Sequence, residues 1–142
     1  MQARRGELVD VLGGAAGLVA EVDEKPAGLA TWLATSLTGE TTERAEVRAV
    51  AVASAARRRG IARALLESAH GTLRAAGVTA VWLTTTNDNL GALALYEGLG
   101  YRVVEVRHGA VDEARRTIKP SIGLLGEHGI PISDELELEL RL

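Results

Sequence analysis

Three consecutive arginines, at positions 57–59, stand directly before Gly60 at the start of a leucine-rich amphipathic run. A helix start carries unpaired backbone N–H groups and about half a positive charge, and guanidinium groups suit phosphate oxygens. Gly60 lets a ligand approach the backbone closely, and Ala62 keeps that approach clear. The spacing therefore predicts an anion site, most simply for a phosphate or pyrophosphate. An exposed basic turn is the alternative, and three arginines alone would favour it.

Two strands and a turn are predicted before a longer strand that leads to the arginines. Residues 17–23 alternate, Pro26 and Gly28 are typical turn residues, and residues 29–37 are expected to return as a hairpin. Residues 44–53 form the longer strand, whose last five residues are apolar on both faces. That composition is typical of a strand in the interior of a sheet.

The arginines lead into a helix that we expect to run from Ile61 to a stop at Gly77. Leu65 and Leu73 belong to its apolar face, and His70 is placed toward its polar face. A second helix is expected to follow a central strand over residues 78–86. Asn89 is its predicted N-cap, and Gly100 stands at its stop.

The last part of the chain predicts two strands around a short helical segment. Residues 101–107 form one strand, and residues 111–116 are expected to make one or two helical turns before Pro120. Residues 135–142 alternate strictly, with leucines on one face and charged residues on the other. This pattern predicts a strand with one charged face in water. The element order predicts an α/β (α+β) chain with a mixed sheet.

Length, composition and charge limit the classes of protein. The 142 residues fit one domain, 1–142. Residues 1–16 are poorly defined, and residues 3–12 within them could form one short strand or half a helix. A net charge of −3 argues against a general nucleic-acid binder. The chain has no cysteine, which excludes disulfides, a thiolate metal site and a cysteine nucleophile. Charged residues and glycines interrupt the first apolar stretch, so we expect no signal peptide, no membrane span and a cytoplasmic location.

Two motifs together resemble the GNAT superfamily of N-acetyltransferases. The stretch from Val52, V-x-x-x-x-R-R-R-G-I-A-R-A-L-L, resembles the family's acyl-CoA signature, whose core R/Q-x-x-G-x-G/A is matched by Arg57, Gly60 and Ala62. Residues 89–101, NLGALALYEGLGY, resemble the second motif, N-x-x-A-x-x-L-Y-E-x-L-G-Y/F. The resemblance implies the acyl-CoA N-acyltransferase fold, a mixed, mostly antiparallel central sheet flanked by helices.

The resemblance also implies acetyl-CoA as co-substrate and a place for each of its parts. Its pyrophosphate would lie on backbone N–H groups around Arg58–Arg63, and its pantetheine arm would pair with Val50–Val52, where the family's strand bulges and splays from the next. The Val52 N–H would polarise the thioester carbonyl. The full predicted cofactor-binding set is Val50, Ala51, Val52, Arg57, Arg58, Arg59, Gly60, Ile61, Ala62, Arg63, Asn89 and Tyr96.

Tyr96 is the residue that the family motif favours as proton donor to the leaving thiolate, although its pattern alone would suit a core ring. A thiol has a pKa of about 8.5 and a tyrosine one of about 10, close enough for proton sharing. Thr84 stands where relatives often carry a glutamate, so Glu46 is the next candidate base, with a solvated strand glutamate as the equal alternative. His70 and His108 are weaker candidates. Without a cysteine or a G-x-S-x-G elbow, direct attack by a bound amine is the simpler route.

The predicted function is transfer of an acetyl group from acetyl-CoA to the primary amine of an unidentified small-molecule or protein acceptor. One alternative is an acyl-CoA-binding module of the same fold without catalysis, and another is an interaction subunit whose arginines bind an acidic protein or RNA. The front end of the chain is shorter than in family members, so either the domain is trimmed or a second chain completes it. Of these two alternatives we expect the homodimer.

Overall fold

The structure is a computed structural model that describes residues 2–9, 15–35 and 44–142. Two compact units make up the chain, one of Met1–Asp10 with Leu83–Leu140 and the other of Val11–Trp82 with Arg141–Leu142. In chain order the helices and strands are β1 (Gln2–Arg4), β2 (Glu7–Val9), β3 (Ala16–Val22), β4 (Lys25–Thr35), β5 (Arg44–Val52), α1 (Ile61–Ala75), β6 (Ala80–Thr86), α2 (Leu90–Gly98), β7 (Arg102–Arg107), α3 (Ala110–Thr117) and β8 (Glu135–Arg141). No helix in these described ranges is long and apolar enough to cross a membrane.

Six of the strands form one mixed sheet in the order β3-β4-β5-β6-β8-β7, and β1 pairs with β2 in a separate hairpin. The pairs β3–β4, β4–β5 and β7–β8 are antiparallel, whereas β5–β6 is parallel because α1 connects these two strands. The mixed, mostly antiparallel sheet with helices that the resemblance implied is therefore confirmed.

The turn between β3 and β4 is shorter than the sequence predicted. Asp23 and Glu24 form it with φ of 51° and 65°, the two positive values of a type I′ hairpin turn. Pro26 and Gly28 lie inside β4 instead, so their assignment to the turn was wrong. β4 tolerates Pro26 because its pairing with β5 begins only at Gly28, and no β5 carbonyl there requires a proline N–H.

Helix α1 packs its predicted face into the core of its unit. Leu66, Ala69 and Leu73 are almost fully buried, as the 3.6-residue period requires. His70 is also buried, at 6% exposure, so its placement on the polar face was wrong. Burial and the nearby Arg74 cation lower the pKa of this imidazole, which favours its neutral form.

At Gly28, α1 and β5 both approach β4 closely. A Cβ at this position would lie 2.9 Å from the Ala51 carbonyl oxygen, 3.2 Å from Ile61 Cγ2 and 3.3 Å from Leu65 Cδ1. Only a residue without a side chain allows this approach without movement of backbone. Gly28 thus helps to set the position of the first turn of α1.

The end of β5 is more exposed than its apolar composition predicted. Ala51 and Ala53 are exposed, so the expectation of a strand buried on both faces was wrong here. The physical reason is pairing: within the described residues, the parallel ladder with β6 covers only Arg44–Glu46. The rest of β5 is paired with β4 alone.

The unit containing β8 departs from the sequence predictions at both of its ends. Residues 2–9 form two short strands around a turn at Arg5–Gly6, rather than one strand or half a helix. The first half of the charged face of β8 is not in water, because Glu135 and Glu137 are 7% and 6% exposed, whereas Arg141 at the end of the strand is exposed as predicted. Arg107 lies directly opposite Glu135 in the β7–β8 register, and its Nε donates to the Glu135 carboxylate at 2.8 Å.

Candidate functional site

The carboxyl end of β5 presents backbone groups that face away from β4. The Ala53 N–H donates to the Ala27 carbonyl oxygen of β4 at 2.7 Å. Because successive N–H groups along a strand point to opposite edges, the Val52 and Val50 N–H groups point away from β4. The Val52 carbonyl faces the same way and accepts a hydrogen bond from Arg57 Nε at 3.3 Å. This free edge is what an amide-rich ligand needs in order to pair as an extra strand.

A bulge precedes this edge. Thr31 pairs with Ala49 and Trp32 with Val47, so Arg48 is an extra residue in the β4–β5 ladder. A bulge bends its strand and increases the local twist. The bulge and the short pairing with β6 agree with the bulged, splayed strand that the resemblance implied.

The segment between β5 and α1 forms a concave run of backbone N–H groups. Arg58 and Gly60 have positive φ, 63° and 73°, an alternation that turns successive N–H groups toward one side. The first hydrogen bond of α1 runs from the Ala64 N–H to the Gly60 carbonyl at 3.0 Å. Within the described parts of the chain, the N–H groups of Arg58–Arg63 donate to no backbone acceptor. They are the ordinary orphan donors of a helix start, here extended by two residues.

The side chains around these donors suit an anion. Arg57, Arg58 and Arg59 are exposed, and a Cβ at Gly60 would meet nothing within 4 Å. Arg63 is different, because its Nε pairs with Glu67 at 3.1 Å along the helix surface. Arg63 therefore offers its backbone N–H rather than its guanidinium. The predicted residues Val50–Val52 and Arg57–Arg63 all lie in one unit.

Asn89 and Tyr96 belong to the other unit. The Asn89 side chain is the N-cap of α2, as predicted, accepting from the Ala92 N–H at 3.4 Å. Its Nδ2 donates to Thr85 Oγ1 at 3.3 Å. The oxygen and the nitrogen of the amide thus both have partners in the fold. A ligand that binds the Asn89 side chain therefore has to share or replace these hydrogen bonds.

Tyr96 is held in its protonated form. Its ring lies 5.6 Å from the ring of Tyr101, centroid to centroid, at an interplanar angle of 56°. Burial raises the pKa of the Tyr96 phenol, and the Arg4 cation partly opposes that rise. A phenol above its usual pKa carries its proton throughout the neutral range and can donate it.

The candidate bases have well-defined surroundings. Glu46 is 8% exposed on β5 and pairs with Arg48 Nε at 3.3 Å, so the alternative of a solvated strand glutamate was wrong. Thr84 is buried, and its hydroxyl and carbonyl oxygens both accept from the Arg4 guanidinium. His108 lies in an exposed turn with its Nδ1 3.3 Å from Asp134.

The connection from α3 to β8 is held by side-chain hydrogen bonds to its backbone, which the sequence analysis did not predict. Arg115 donates hydrogen bonds to the carbonyls of Ile122, Gly123 and Ile132, at 3.0, 2.7 and 2.9 Å. Asn87 Oδ1 accepts from the N–H groups of Ser133 and Asp134, both at 3.0 Å. The signal that was available is the pair of turn-capping residues Asn87 and Asp88 directly after a strand.

Comparisons with known proteins agree with this architecture. The model of the family described as "Acetyltransferase (GNAT) family" matches residues 6–101. The chain is similar to the protein YxbD of Bacillus subtilis (strain 168), 46% identical over 80 residues that cover 56% of this chain and 50% of that protein. It is also similar to the ribosomal protein bS18-alanine N-acetyltransferase of Escherichia coli (strain K12), 42% identical over 50 residues, 35% of this chain and 34% of the relative.

A solved structure extends the likeness to nearly the whole chain. The Bacillus subtilis acetyltransferase crystallised in complex with CoA superposes with a TM-score of 0.77 at 22% identity, covering 93% of this chain and 80% of that one. This likeness shows the fold. The chain spans about half the length of the first curated relatives that it matches.

Proposed function

The chain belongs to the acetyltransferase (GNAT) family, and from this membership we propose that it transfers an acetyl group from acetyl-CoA to the primary amine of an acceptor. The observation that carries the proposal is the outward-facing N–H of Val52, followed by the N–H groups of Arg58–Arg63, which have no backbone acceptor among the described residues. Together these groups offer the two binding modes that acetyl-CoA requires, strand pairing for its amides and concentrated donors for its diphosphate.

Each part of this surface has a distinct task. The N–H groups of Arg58–Arg63 and the guanidiniums of Arg57–Arg59 hold the diphosphate, with Gly60 leaving room for it. The edge at Val50–Val52 pairs with the amide-rich arm, and the Val52 N–H donates to the carbonyl oxygen where negative charge develops. When bound, acetyl-CoA supplies a thioester whose carbonyl carbon is the electrophile.

The reaction balances with three proton transfers. The acceptor ammonium first loses a proton, its nitrogen then bonds to the carbonyl carbon, and the carbon–sulfur bond breaks. Tyr96 gives a proton to the departing thiolate and regains one as the amine sheds its second. An amine with a pKa of about 10.4 needs roughly 4–5 kcal/mol to deprotonate near pH 7, so we assign Glu46 to help as the base.

Binding can be tested by replacing the three arginines together. We expect acetyl-CoA to raise the melting temperature of the wild-type protein, since a ligand that binds only the folded state stabilises it. Replacing Arg57, Arg58 and Arg59 by alanine should weaken binding at least about 10-fold, because charged donors to the phosphates are lost. Arg74→Ala, an exposed arginine at the other end of α1, is the matched control and should bind normally. No melting shift at millimolar acetyl-CoA would contradict the proposal.

Catalysis is tested by thiol release across a panel of amines. Tyr96→Phe keeps the ring but removes the proton, and we expect kcat to fall about 100-fold with KM for acetyl-CoA unchanged. Unchanged kcat in this variant would exclude Tyr96 as the proton donor.

A second candidate is an acyl-CoA-binding module without catalysis. The pairing of Glu46 with Arg48 favours it, since this carboxylate is then already engaged, and Thr84, which stands where relatives often carry a glutamate, has its hydroxyl bound by Arg4. This candidate expects acetyl-CoA binding without thiol release for any amine in the panel.

We further propose that the protein works in the cytoplasm as a homodimer. Sedimentation at micromolar concentration should then give twice the monomer mass. We also propose that residues 1–142 act as one domain, which requires a single cooperative unfolding transition.

A further inference from the structure

A cavity of about 250 Å³ lies within the unit that contains α3 and β8. Val111 and Ala114 of α3 contribute to its lining, as do Ile122 and Ile132 of the connection from α3 to β8. Val111 and Ala114 are each 7% exposed, so they belong to the packed part of this unit. The lining is thus mainly aliphatic, which is usual for a small-molecule site.

Glu135, the acidic residue of the lining, is already engaged by the protein. Its two carboxylate oxygens accept from the Arg5 N–H at 3.2 and 3.3 Å, and Oε1 also accepts from Arg107 Nε at 2.8 Å. A ligand cation would have to compete with these donors. Glu135 therefore does not call for a positively charged ligand.

The other polar side chains of the lining, Lys119 and Thr86, are engaged as well. Lys119 has an interaction partner within the protein, and Thr86 Oγ1 donates its hydrogen to Asp88 Oδ1. A charged ligand would thus have to break existing contacts or lose water without gaining a counter-ion, and either change costs free energy. The lining favours a neutral ligand, for which the aliphatic walls supply the contacts.

The size of the cavity indicates a compact ligand. An apolar cavity of about 150 Å³ holds a molecule such as benzene, whereas drug-sized ligands need about 300–1,000 Å³. A space of about 250 Å³ therefore suits a molecule of about six to eight non-hydrogen atoms.

The walls are held in place independently of any ligand. Arg115 donates to the carbonyls of Ile122 and Ile132 at 3.0 and 2.9 Å, and Asn87 Nδ2 donates to the Pro131 carbonyl at 2.9 Å. Preformed walls reduce the ordering cost of binding. A larger opening of about 710 Å³ shares part of its lining with the cavity, namely Gly6, Ala110 and Ala114, and offers a route to it.

We propose that this cavity binds a compact, neutral aliphatic molecule, such as a branched alcohol, against Val111, Ile122 and Ile132. The ligand contacts both α3 and the connection to β8 and so links these two segments. This site goes beyond the proposed acetyl transfer, and its occupation requires no acetyl-CoA.

Titration followed by methyl NMR, without acetyl-CoA, tests the site with isoamyl alcohol as the probe. The alcohol should shift the methyl resonances of Val111, Ile122 and Ile132 and leave those of Val19 on β3 unchanged. Isoamylamine and isovalerate carry the same branched chain with a positive or a negative charge. Each should bind at least about 10-fold more weakly than the alcohol, because its charge would lose water without gaining a partner.

Two variants localise binding to the cavity. Ile122→Trp should abolish binding of isoamyl alcohol by filling the space. Val111→Thr keeps the branched shape but places a hydroxyl in the wall, and it should weaken binding at least about threefold. Val19→Thr, the same change at an exposed position of β3, is the matched control and should bind normally.

The inference is overturned if isoamyl alcohol binds no better than its two charged analogues, or if Val111→Thr binds it normally. Methyl shifts confined to residues outside the lining, or no shift at millimolar alcohol, would overturn it too. If Ile122→Trp does not fold, Val111→Thr decides. Since acetyl-CoA is left out, none of these results depends on whether the protein transfers acetyl groups.

Discussion

Asn87 holds the segment that leads into β8, and its replacement by alanine should release that segment. The side-chain Oδ1 accepts from the N–H groups of Ser133 and Asp134, both at 3.0 Å, and Nδ2 donates to the Pro131 carbonyl at 2.9 Å. Alanine removes all three partners at once. Two N–H groups then lose their hydrogen bonds in a partly buried place, and the Pro131 carbonyl loses its hydrogen bond at the surface.

The size of the effect follows from the number of bonds. A hydrogen bond of this kind contributes about 1 kcal/mol, so the three together give about 3 kcal/mol. Since about 1.4 kcal/mol is a factor of ten, the local opening equilibrium should rise about 100-fold. Asn87→Asp keeps the acceptor oxygen but sets a second oxygen against the Pro131 carbonyl, and we expect a smaller loss in that variant.

Amide hydrogen exchange measures this opening directly. The amides of Ser133 and Asp134 should exchange about 100-fold faster in Asn87→Ala, whereas the buried Leu66 amide of α1 should keep its rate. An increase of less than about threefold at both amides would refute the reasoning, because the hydrogen bonds would then not hold the segment. Equal acceleration at Leu66 would show global rather than local opening.

Two further expectations concern packing and pH. Gly28→Ala should lower the free energy of unfolding by about 1–3 kcal/mol, because its Cβ would clash with the Ala51 carbonyl. Gly71→Ala, in open space on α1, is the control and should raise the free energy of unfolding by about 1 kcal/mol. The midpoints of urea unfolding measure both changes, and equal shifts in the two variants would contradict the close approach at Gly28. The pKa of His70 is lowered, so the folded state resists protonation and stability should fall as the pH drops below about 6.5. His70→Gln should flatten this loss and His128→Asn should not, and an unchanged slope in His70→Gln would refute the assignment.

The elements predicted correctly from sequence are those with local signals. Gly60 and Gly77 mark the ends of α1, and Asn89 caps α2, because capping depends on residues within one turn. The run of backbone donors at the start of α1 was predictable for the same reason. Its donors are consecutive along the chain, so their spacing depends on the local backbone and not on the rest of the fold.

The errors arose where distant residues decide the outcome. The alternation in β8 indicates which residues share a face, but it does not say what covers that face. Arg5 and Arg107 neutralise the carboxylates of Glu135 and Glu137, and they are far away in sequence. The hydrogen-bonded connection from α3 to β8 was missed for the same reason, since Asn87, which holds it, precedes it by tens of positions.

The place of β8 in the sheet sets the order in which that half of the molecule can form during synthesis. β8 lies between β6 and β7, although both of those strands leave the ribosome first. Direct pairing of β6 with β7 would close the position that β8 must enter. Three valines of β7 stay at least 40% exposed even in the final fold, namely Val103, Val104 and Val106. Until β8 is synthesised, the nascent chain therefore exposes an unpaired apolar strand that chaperones or other chains can bind.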